Sequence, residues 1–153
     1  MAKKKEKQPE FDYQAFEAEC DRIRKENEEY LKVFEEDLNA KGLKPKTVSN
    51  HIFNVDFYIN EYLLREEPRE MEDGCYATSM FFSWFFIRKC MWSTPATIKS
   101  TAASFKKFYK SMLEQGKIDK SSYEDMLETI KEEMEDWCDE CEAYNGGSYE
   151  GWF

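Results

Sequence analysis

The sequence predicts an all-α protein that folds as a compact bundle of five to six helices. Its six Gly and four Pro are few for 153 residues and stand mainly between segments, which favours long helices joined by short turns. Apolar residues recur at steps of three and four within those segments, as on the buried face of a helix. Twelve Phe, nine Tyr and four Trp predict a core rich in aromatic rings. A chain of this length buries roughly 68–70% of its unfolded surface.

Before residue 65, a short turn separates a first helical stretch, which the sequence leaves open as one long helix or two with a bend, from a second helix. Residues 1–10 carry four lysines and are predicted to be a disordered basic tail. A helical pattern then runs from residue 11 to about residue 40 and ends at Gly42, since Gly is favoured just after a helix. Pro45 starts the second helix, because the first helical turn needs no N–H from that residue. The pattern of this second helix continues to about Leu64.

The second helix is predicted to lie between two neighbours. One apolar face is formed by Val48, Ile52, Val55, Ile59 and Tyr62, at steps of four and three. A second apolar stripe is formed by Phe53, Phe57 and Leu64. A helix with two apolar stripes buries each of them against a different partner.

A central buried helix is predicted after a polar connection that spans residues 65–74. Residues 75–91 are apolar on nearly every side, which is typical of a helix enclosed by others. The aromatic run at residues 81–86 is therefore predicted to belong to the core. It is not expected to be a surface on which a ligand stacks.

Two further helices complete the predicted bundle. Thr94 is expected to cap one helix with Pro95 in its first position, and Gly116 is expected to end it. Ser121 or Ser122 is expected to cap the last helix, which is strongly acidic and covers about residues 121–144. Residues 145–153 are predicted to be a tail, so that residues 11–144 make a single helical domain.

Charge is distributed unevenly along the chain, whose formal net charge is −10. Acids dominate the first and last helices, whereas the second helix and residues 88–120 are basic. At 100° per residue, one arc of the helix after Pro95 holds the apolar residues Ile98, Ala102, Phe105, Phe108, Tyr109 and Met112. The adjoining arc carries Lys99, Lys106, Lys107 and Lys110, with Ser100 and Ser104 beyond them. Such a face can neutralise phosphates, although lysines also solvate ordinary helix exteriors.

Three motifs resemble the N-terminal core-binding domain of tyrosine recombinases and phage integrases, a SAM-like helical module. They are "GLKPKTV" at 42–48, "STPATIKS" at 93–100 and "FYKSMLEQGKI" at 108–118. The resemblance covers roughly residues 27 to 120, and both basic helices share its Pro-x-Thr-apolar opening. In that family the module forms half of a clamp around duplex DNA. The resemblance implies that DNA is contacted by Lys44, Lys46, Thr47, Asn50, Lys99, Ser100, Lys106, Lys107 and Lys110.

The sequence also departs from that family. Its recombinases continue into a catalytic domain with an Arg, a His-x-x-Arg pair and a tyrosine nucleophile. The only histidine here, His51, has no Arg three residues later, so we expect no recombinase chemistry and no enzymatic activity. Lys44 stands where the family has a capping Ser, which loses a cap worth about 1 kcal/mol. His51 itself is predicted to be partly buried and hydrogen-bonded.

No metal ion or other cofactor is predicted. Cys138 and Cys141 form a single Cys-x-x-Cys pair, whereas a zinc site normally needs four ligands, and no second pair accompanies them. Two thiols three residues apart share a helix face, so a redox or metal-dependent regulator stays open as a weaker alternative. The two cysteines are otherwise expected to lie on the surface of the last helix.

A cytoplasmic location without a membrane span is predicted. No run approaches 18 consecutive apolar residues, and no apolar segment follows the charged N-terminal ten residues as in a secretory signal. Five cysteines, an odd number without framework spacing, favour a reducing compartment.

Two functional hypotheses follow from the sequence. The first is a non-catalytic duplex-DNA-binding module, with weak and salt-dependent binding because the net charge of the chain repels DNA. The alternative is a protein-interaction or regulatory module that keeps the fold and has lost DNA binding. Its partner would be a recombinase or another protein, and its acidic helices would form the partner surface.

Overall fold

The computed structural model describes residues 11–146, which form helices and no strand. This confirms the predicted all-α class. The α-helices are α1 (Tyr13–Ala40), α2 (Pro45–Asp56), α3 (Thr78–Met80), α4 (Phe86–Lys89), α5 (Pro95–Glu114) and α6 (Lys120–Asn145). Two π-helical segments, Phe57–Tyr62 and Phe81–Phe85, and one 3-10 helix, Met71–Tyr76, lie between them. The predicted basic tail at 1–10 and residues 147–153 of the predicted C-terminal tail lie outside the described residues.

Most helix boundaries lie where the glycine, proline and capping residues of the sequence predicted them. Gly42 and Gly116 have φ of 77° and 73°, the left-handed conformation that ends α1 and α5. The Thr94 hydroxyl accepts a hydrogen bond from the Thr97 N–H, which confirms Thr94 as the cap of α5. Lys44 at the start of α2 makes no side-chain cap, as its side chain has no acceptor.

The start of the last helix was predicted wrongly. α6 begins at Lys120, with Asp119 and not Ser121 or Ser122 in the preceding position. Asp is as favourable there as Ser, so composition alone does not separate them. The Ser122 hydroxyl is instead engaged with the Tyr76 hydroxyl at 2.8 Å.

The core lies where α5 meets α1, α2, α6 and the helical run at 78–89. The predicted apolar arc of α5 is buried throughout, which confirms that prediction. Aromatic rings join the elements: the Tyr58 and Phe105 centroids are 4.2 Å apart, and those of Phe82 and Trp137 are 4.8 Å apart. In the described part of the chain, no helix combines the length and apolar character that crossing a membrane would require.

Residues 65–74, predicted to be a polar connection, include a segment anchored in the core. Tyr58 Oη donates a hydrogen bond to the Gly74 carbonyl at 2.6 Å, and Tyr109 Oη donates one to the Met71 carbonyl at 2.7 Å. A Cβ at position 74 would overlap the Tyr109 hydroxyl, so only Gly fits there. These anchors come from two distant helices, and for that reason the local sequence does not indicate them.

The solvent exposure of several side chains differs from the prediction. Phe53 and Trp84 were assigned to the core, but they are 57% and 46% exposed. Ser104 and Cys141 were assigned to exposed faces, but both are fully buried. Two of these four residues, Phe53 and Ser104, lie beside the candidate site.

Candidate nucleic-acid interface

α2 and α5, the two helices with the Pro-x-Thr opening, pack directly against each other through Ser104. Its Oγ lies 2.7 Å from His51 Nδ1 and accepts a hydrogen bond from Asn54 Nδ2 at 3.0 Å. The Ser100 carbonyl lies 3.2 Å from the same oxygen. Ser104 is thus buried between the two helices, with its hydroxyl contacting three polar groups. It is not part of the exposed face, to which it was predicted to belong.

A shallow groove of about 340 Å³ opens between these two helices. Its lining consists of Thr47, Asn50, His51, Phe53, Asn54, Ser100 and Ser104. The polar groups are amides, hydroxyls and an imidazole, and no carboxylate is among them. Amides and hydroxyls are groups with which proteins contact phosphates and base edges. Three of the nine predicted contact residues, Thr47, Asn50 and Ser100, therefore meet in this groove.

His51 is half-buried at the floor of the groove and hydrogen-bonded, which confirms the prediction for this residue. Burial, and next the charge of Lys107, lower the pKa of the His51 imidazole. At neutral pH the ring is accordingly neutral. When the Ser104 hydroxyl donates to the Ser100 carbonyl, His51 Nδ1 carries the proton and donates to Ser104 Oγ, which leaves Nε2 as an acceptor.

The six lysines of the predicted contact set are all exposed: Lys44, Lys46, Lys99, Lys106, Lys107 and Lys110. None of them lies within 4.0 Å of a carboxylate of residues 11–146. The ion pairs of the described residues are instead made by Arg22, Arg24 and Lys120. The lysine ammonium groups near α2 and α5 therefore have no carboxylate partner within this part of the chain.

The lysines of α5 fall into two groups with different surroundings. Lys107 lies one turn after Ser104, the partner of His51, and Lys99 lies one turn after Pro95, whose carbonyl is 4.0 Å from the Cys138 thiol of α6. Lys106 and Lys110 share the stripe of Lys99, within roughly 40° on the helix wheel. Lys107 thus borders the groove, whereas the stripe of Lys99 begins beside the acidic helix α6.

On α2, Lys46 lies one turn before Asn50 and shares its face. The groove and its border therefore combine five of the nine predicted residues: Lys46, Thr47, Asn50, Ser100 and Lys107. Lys44 precedes the first turn of α2. Lys99, Lys106 and Lys110 do not line the groove and lie roughly 80–120° around α5 from Ser100.

Two half-exposed aromatic rings stand beside the groove and were not predicted as site residues. Phe53 lines the groove, and its ring centroid lies 6.4 Å from that of Trp92, which is 45% exposed. On a helix wheel Phe53 falls roughly 140° from Val48, on the side of Lys46 and Asn50. That angle was the sequence signal for its exposure.

The two cysteines of α6 are more buried than predicted. Cys141 is buried in the core, contrary to the predicted surface position, and Cys138 is half-buried. Burial raises the pKa of both thiols and so disfavours the thiolate that reacts or binds metal. Among residues 11–146, no three His, Cys, Asp or Glu side chains are grouped so as to hold a metal ion.

The likeness to recombinase core-binding domains remains a prediction from the three sequence motifs. No family model, curated protein or solved structure matches the chain.

Proposed function

We propose that the protein binds duplex DNA, without cleaving it, through the face shared by α2 and α5. The observation that carries this proposal is the carboxylate-free groove of amides and hydroxyls, bordered by lysines that no carboxylate of the described residues neutralises. In a chain of net charge −10, such a surface is a local exception that favours an anionic ligand. The resemblance to a DNA-clamp module supports the choice of DNA.

The groups in and beside the groove suit both kinds of DNA contact, those to phosphates and those to base edges. Lys46 and Lys107 neutralise phosphates, and Thr47 and Ser100 supply short hydrogen bonds to the backbone. Asn50 is an exposed amide, a group that can pair with the edge of adenine in the major groove. With one phosphate neutralised by each of the two lysines, log K is expected to fall with log salt at a slope of roughly −2.

The geometry supports binding and not catalysis by the Ser104–His51 pair. A serine oxygen 2.7 Å from an imidazole resembles a nucleophile beside its base. Ser104, however, has no exposed surface, and its oxygen is already shared among three partners. The hydroxyl therefore cannot reach a phosphate, and we assign this pair the role of joining α2 to α5.

Fluorescence anisotropy with a labelled mixed-sequence duplex, at low and near-physiological salt, tests the proposal. We expect the Lys46→Ala/Lys107→Ala variant to bind at least tenfold more weakly than the wild type at low salt. The Lys99→Ala/Lys106→Ala/Lys110→Ala variant should lose less, because its stripe lies away from the groove. The matched control, Lys25→Ala/Lys32→Ala on α1, should bind like the wild type.

Two outcomes of that titration decide against the proposal or its site. If the folded wild-type protein does not bind the duplex even at low salt, DNA binding is wrong. If it binds and the loss follows the stripe of Lys99, the groove is the wrong site and that stripe of α5 is the right one.

A second candidate function is protein binding through α6. Its exposed acids include Glu128, Glu132, Glu135, Asp136, Asp139 and Glu140, and only Glu124 forms an ion pair with a lysine of the described residues. Such a surface suits a basic partner. A labelled lysine-rich peptide, titrated as in the DNA experiment, tests it: saturable binding without DNA binding favours this candidate, and the absence of peptide binding excludes it.

A further inference from the structure

We propose that a second groove, which shares no lining residue with the first, is the docking site for residues 147–153 of the chain itself, and this proposal does not depend on DNA binding. This aromatic groove lies between residues 62–69 and the helical run at 78–89, and its volume is about 500 Å³. The occupant is inferred from the exposed rings of the groove, from its cations, which form no ion pair with residues 11–146, and from the position at which α6 ends.

The aromatic groove exposes apolar side chains of residues 75–91, a segment that the sequence predicted to be buried. Tyr62 and Phe85 contribute buried rings whose centroids are 4.8 Å apart. Met80, Trp84 and Tyr76 stand around them and are 62%, 46% and 63% exposed. Contiguous exposed apolar surface of this kind marks a place where another group binds.

Three cations lie over the rings of the groove. Arg65 Cζ is 5.1 Å from the Phe85 centroid, Arg69 Cζ is 5.2 Å from that of Tyr62, and Lys89 Nζ is 5.7 Å from that of Trp84. No ion pair joins any of them to a carboxylate of residues 11–146, although Glu66 and Glu67 line the same groove. The groove therefore suits an occupant that carries both aromatic rings and a negative charge.

Residues 147–153, Gly-Ser-Tyr-Glu-Gly-Trp-Phe, have this chemistry. Within seven residues they provide the three rings of Tyr149, Trp152 and Phe153 and the carboxylate of Glu150, and they contain no basic residue. The other segment outside the described range, residues 1–10, has the opposite character, since four of its residues are lysines. Charge complementarity thus selects residues 147–153 of the two.

The described end of α6, from which residues 147–153 continue, lies beside the groove. Asn145 Nδ2 donates a hydrogen bond to the Ser93 carbonyl at 2.7 Å, which holds the last turn of α6 against the loop after α4. One guanidinium, that of Arg88, lies 5.4 Å from the Tyr144 ring and 5.5 Å from the Trp84 ring at the groove. Seven extended residues span roughly 23–25 Å. This reach is greater than the separation of the Tyr144 and Trp84 rings, since one guanidinium contacts both of them.

A synthetic peptide of residues 147–153, blocked at both ends and labelled, tests the docking by fluorescence anisotropy. The peptide is titrated into the full wild-type chain and into the full-length variant Tyr149→Ala/Trp152→Ala/Phe153→Ala. We expect the variant to bind the peptide at least about tenfold more tightly, because the tethered wild-type segment competes at an effective concentration near millimolar. Adding Arg65→Gln to the variant should weaken peptide binding severalfold, whereas adding Arg24→Gln, an exposed arginine of α1, should not.

Two results would overturn the docking within one chain. The first is that neither protein binds the peptide, or that both bind it equally, while circular dichroism shows that both are folded. The second is that the wild-type chain forms a dimer by light scattering and the variant does not, because the segment would then occupy the groove of a second copy. A zero-length carbodiimide crosslink between Lys89 and Glu150 in monomeric wild-type protein, identified by mass spectrometry, would support the proposal directly.

Discussion

Ser104 shows how one small buried residue organises the proposed interface. Its hydroxyl is the only side-chain partner that joins Asn54 and His51 of α2 to α5 within the described residues. An alanine at this position would leave both α2 groups without that partner, a loss of roughly 1–3 kcal/mol for buried polar groups. The groove therefore depends on a residue that cannot itself reach a ligand.

His51 makes the stability of the fold depend on pH. Its pKa is lowered in the folded state, first by burial and then by Lys107, whereas in the unfolded chain it is near 6.5. As the pH falls below about 6.5, the unfolded state takes up the proton first, so stability falls until the folded-state pKa is passed. Above that window both states are neutral and His51 contributes no pH dependence.

We predict that the His51→Asn variant loses less stability than the wild type between about pH 7 and pH 5. Asn retains a polar atom toward Ser104 but does not titrate, so the difference between the two proteins isolates the imidazole. Urea denaturation at a series of pH values measures the free energy of unfolding of each protein. Parallel curves for the two proteins would show that His51 protonation does not contribute.

Tyr109 carries a second prediction at the scale of a residue. Tyr109→Phe removes the hydrogen bond to the Met71 carbonyl inside the core, and we expect it to destabilise the fold by roughly 1–3 kcal/mol. Tyr13→Phe is the matched control, because the Tyr13 hydroxyl is on the surface and donates its hydrogen bond to Glu17 of the same helix. Thermal denaturation should separate the variants by several degrees; equal midpoints would mean that the hydroxyl of Tyr109 does not anchor the 3-10 helix.

At the scale of the elements, the sequence predicted those features that local chemistry determines. Gly42 and Gly116 mark helix ends because a left-handed residue is needed there, and Thr94–Pro95 marks a start because it caps the first turn. The 3-10 helix at 71–76 was missed, since hydrogen bonds from Tyr58 and Tyr109 hold it, and these residues are distant in the sequence.

The candidate site was likewise predictable only in part, because some of its features depend on local sequence and others on the packing of distant residues. The residue types, the two helices and their exposed lysines were all predictable, because composition and helical period determine them. Which stripe of α5 faces α2 was not, because that depends on the packing of α5 between α1, α2 and α6. The contact between Ser104 and His51 follows from that packing.

At the scale of the whole molecule, the net charge of −10 opposes the proposed binding of DNA. The Cys138 thiol lies 4.0 Å from the Pro95 carbonyl, one turn before Lys99, so the acids of α6 beside Cys138 lie close to one edge of the basic surface. Two effects then act on an approaching duplex: a long-range repulsion from all the acids, and a local competition of α6 for the lysines of α5. Raising the salt concentration separates these two effects only in part, because charges within the screening length of about 8 Å at physiological ionic strength still interact.

Neutralising equal numbers of acids on α6 and α1 distinguishes the two effects. Glu135→Gln/Asp139→Asn/Glu142→Gln alters exposed acids of α6, and Glu28→Gln/Glu29→Gln/Glu35→Gln alters exposed acids of α1 by the same charge. If α6 competes locally, its variant should bind the duplex severalfold more tightly than the α1 variant, and the advantage should persist at near-physiological salt, where long-range repulsion is screened. Anisotropy titrations of the two variants at both salt concentrations measure this. Equal gains that disappear together as salt rises would mean that the acids act only through the net field, and that α6 has no special relation to the basic surface.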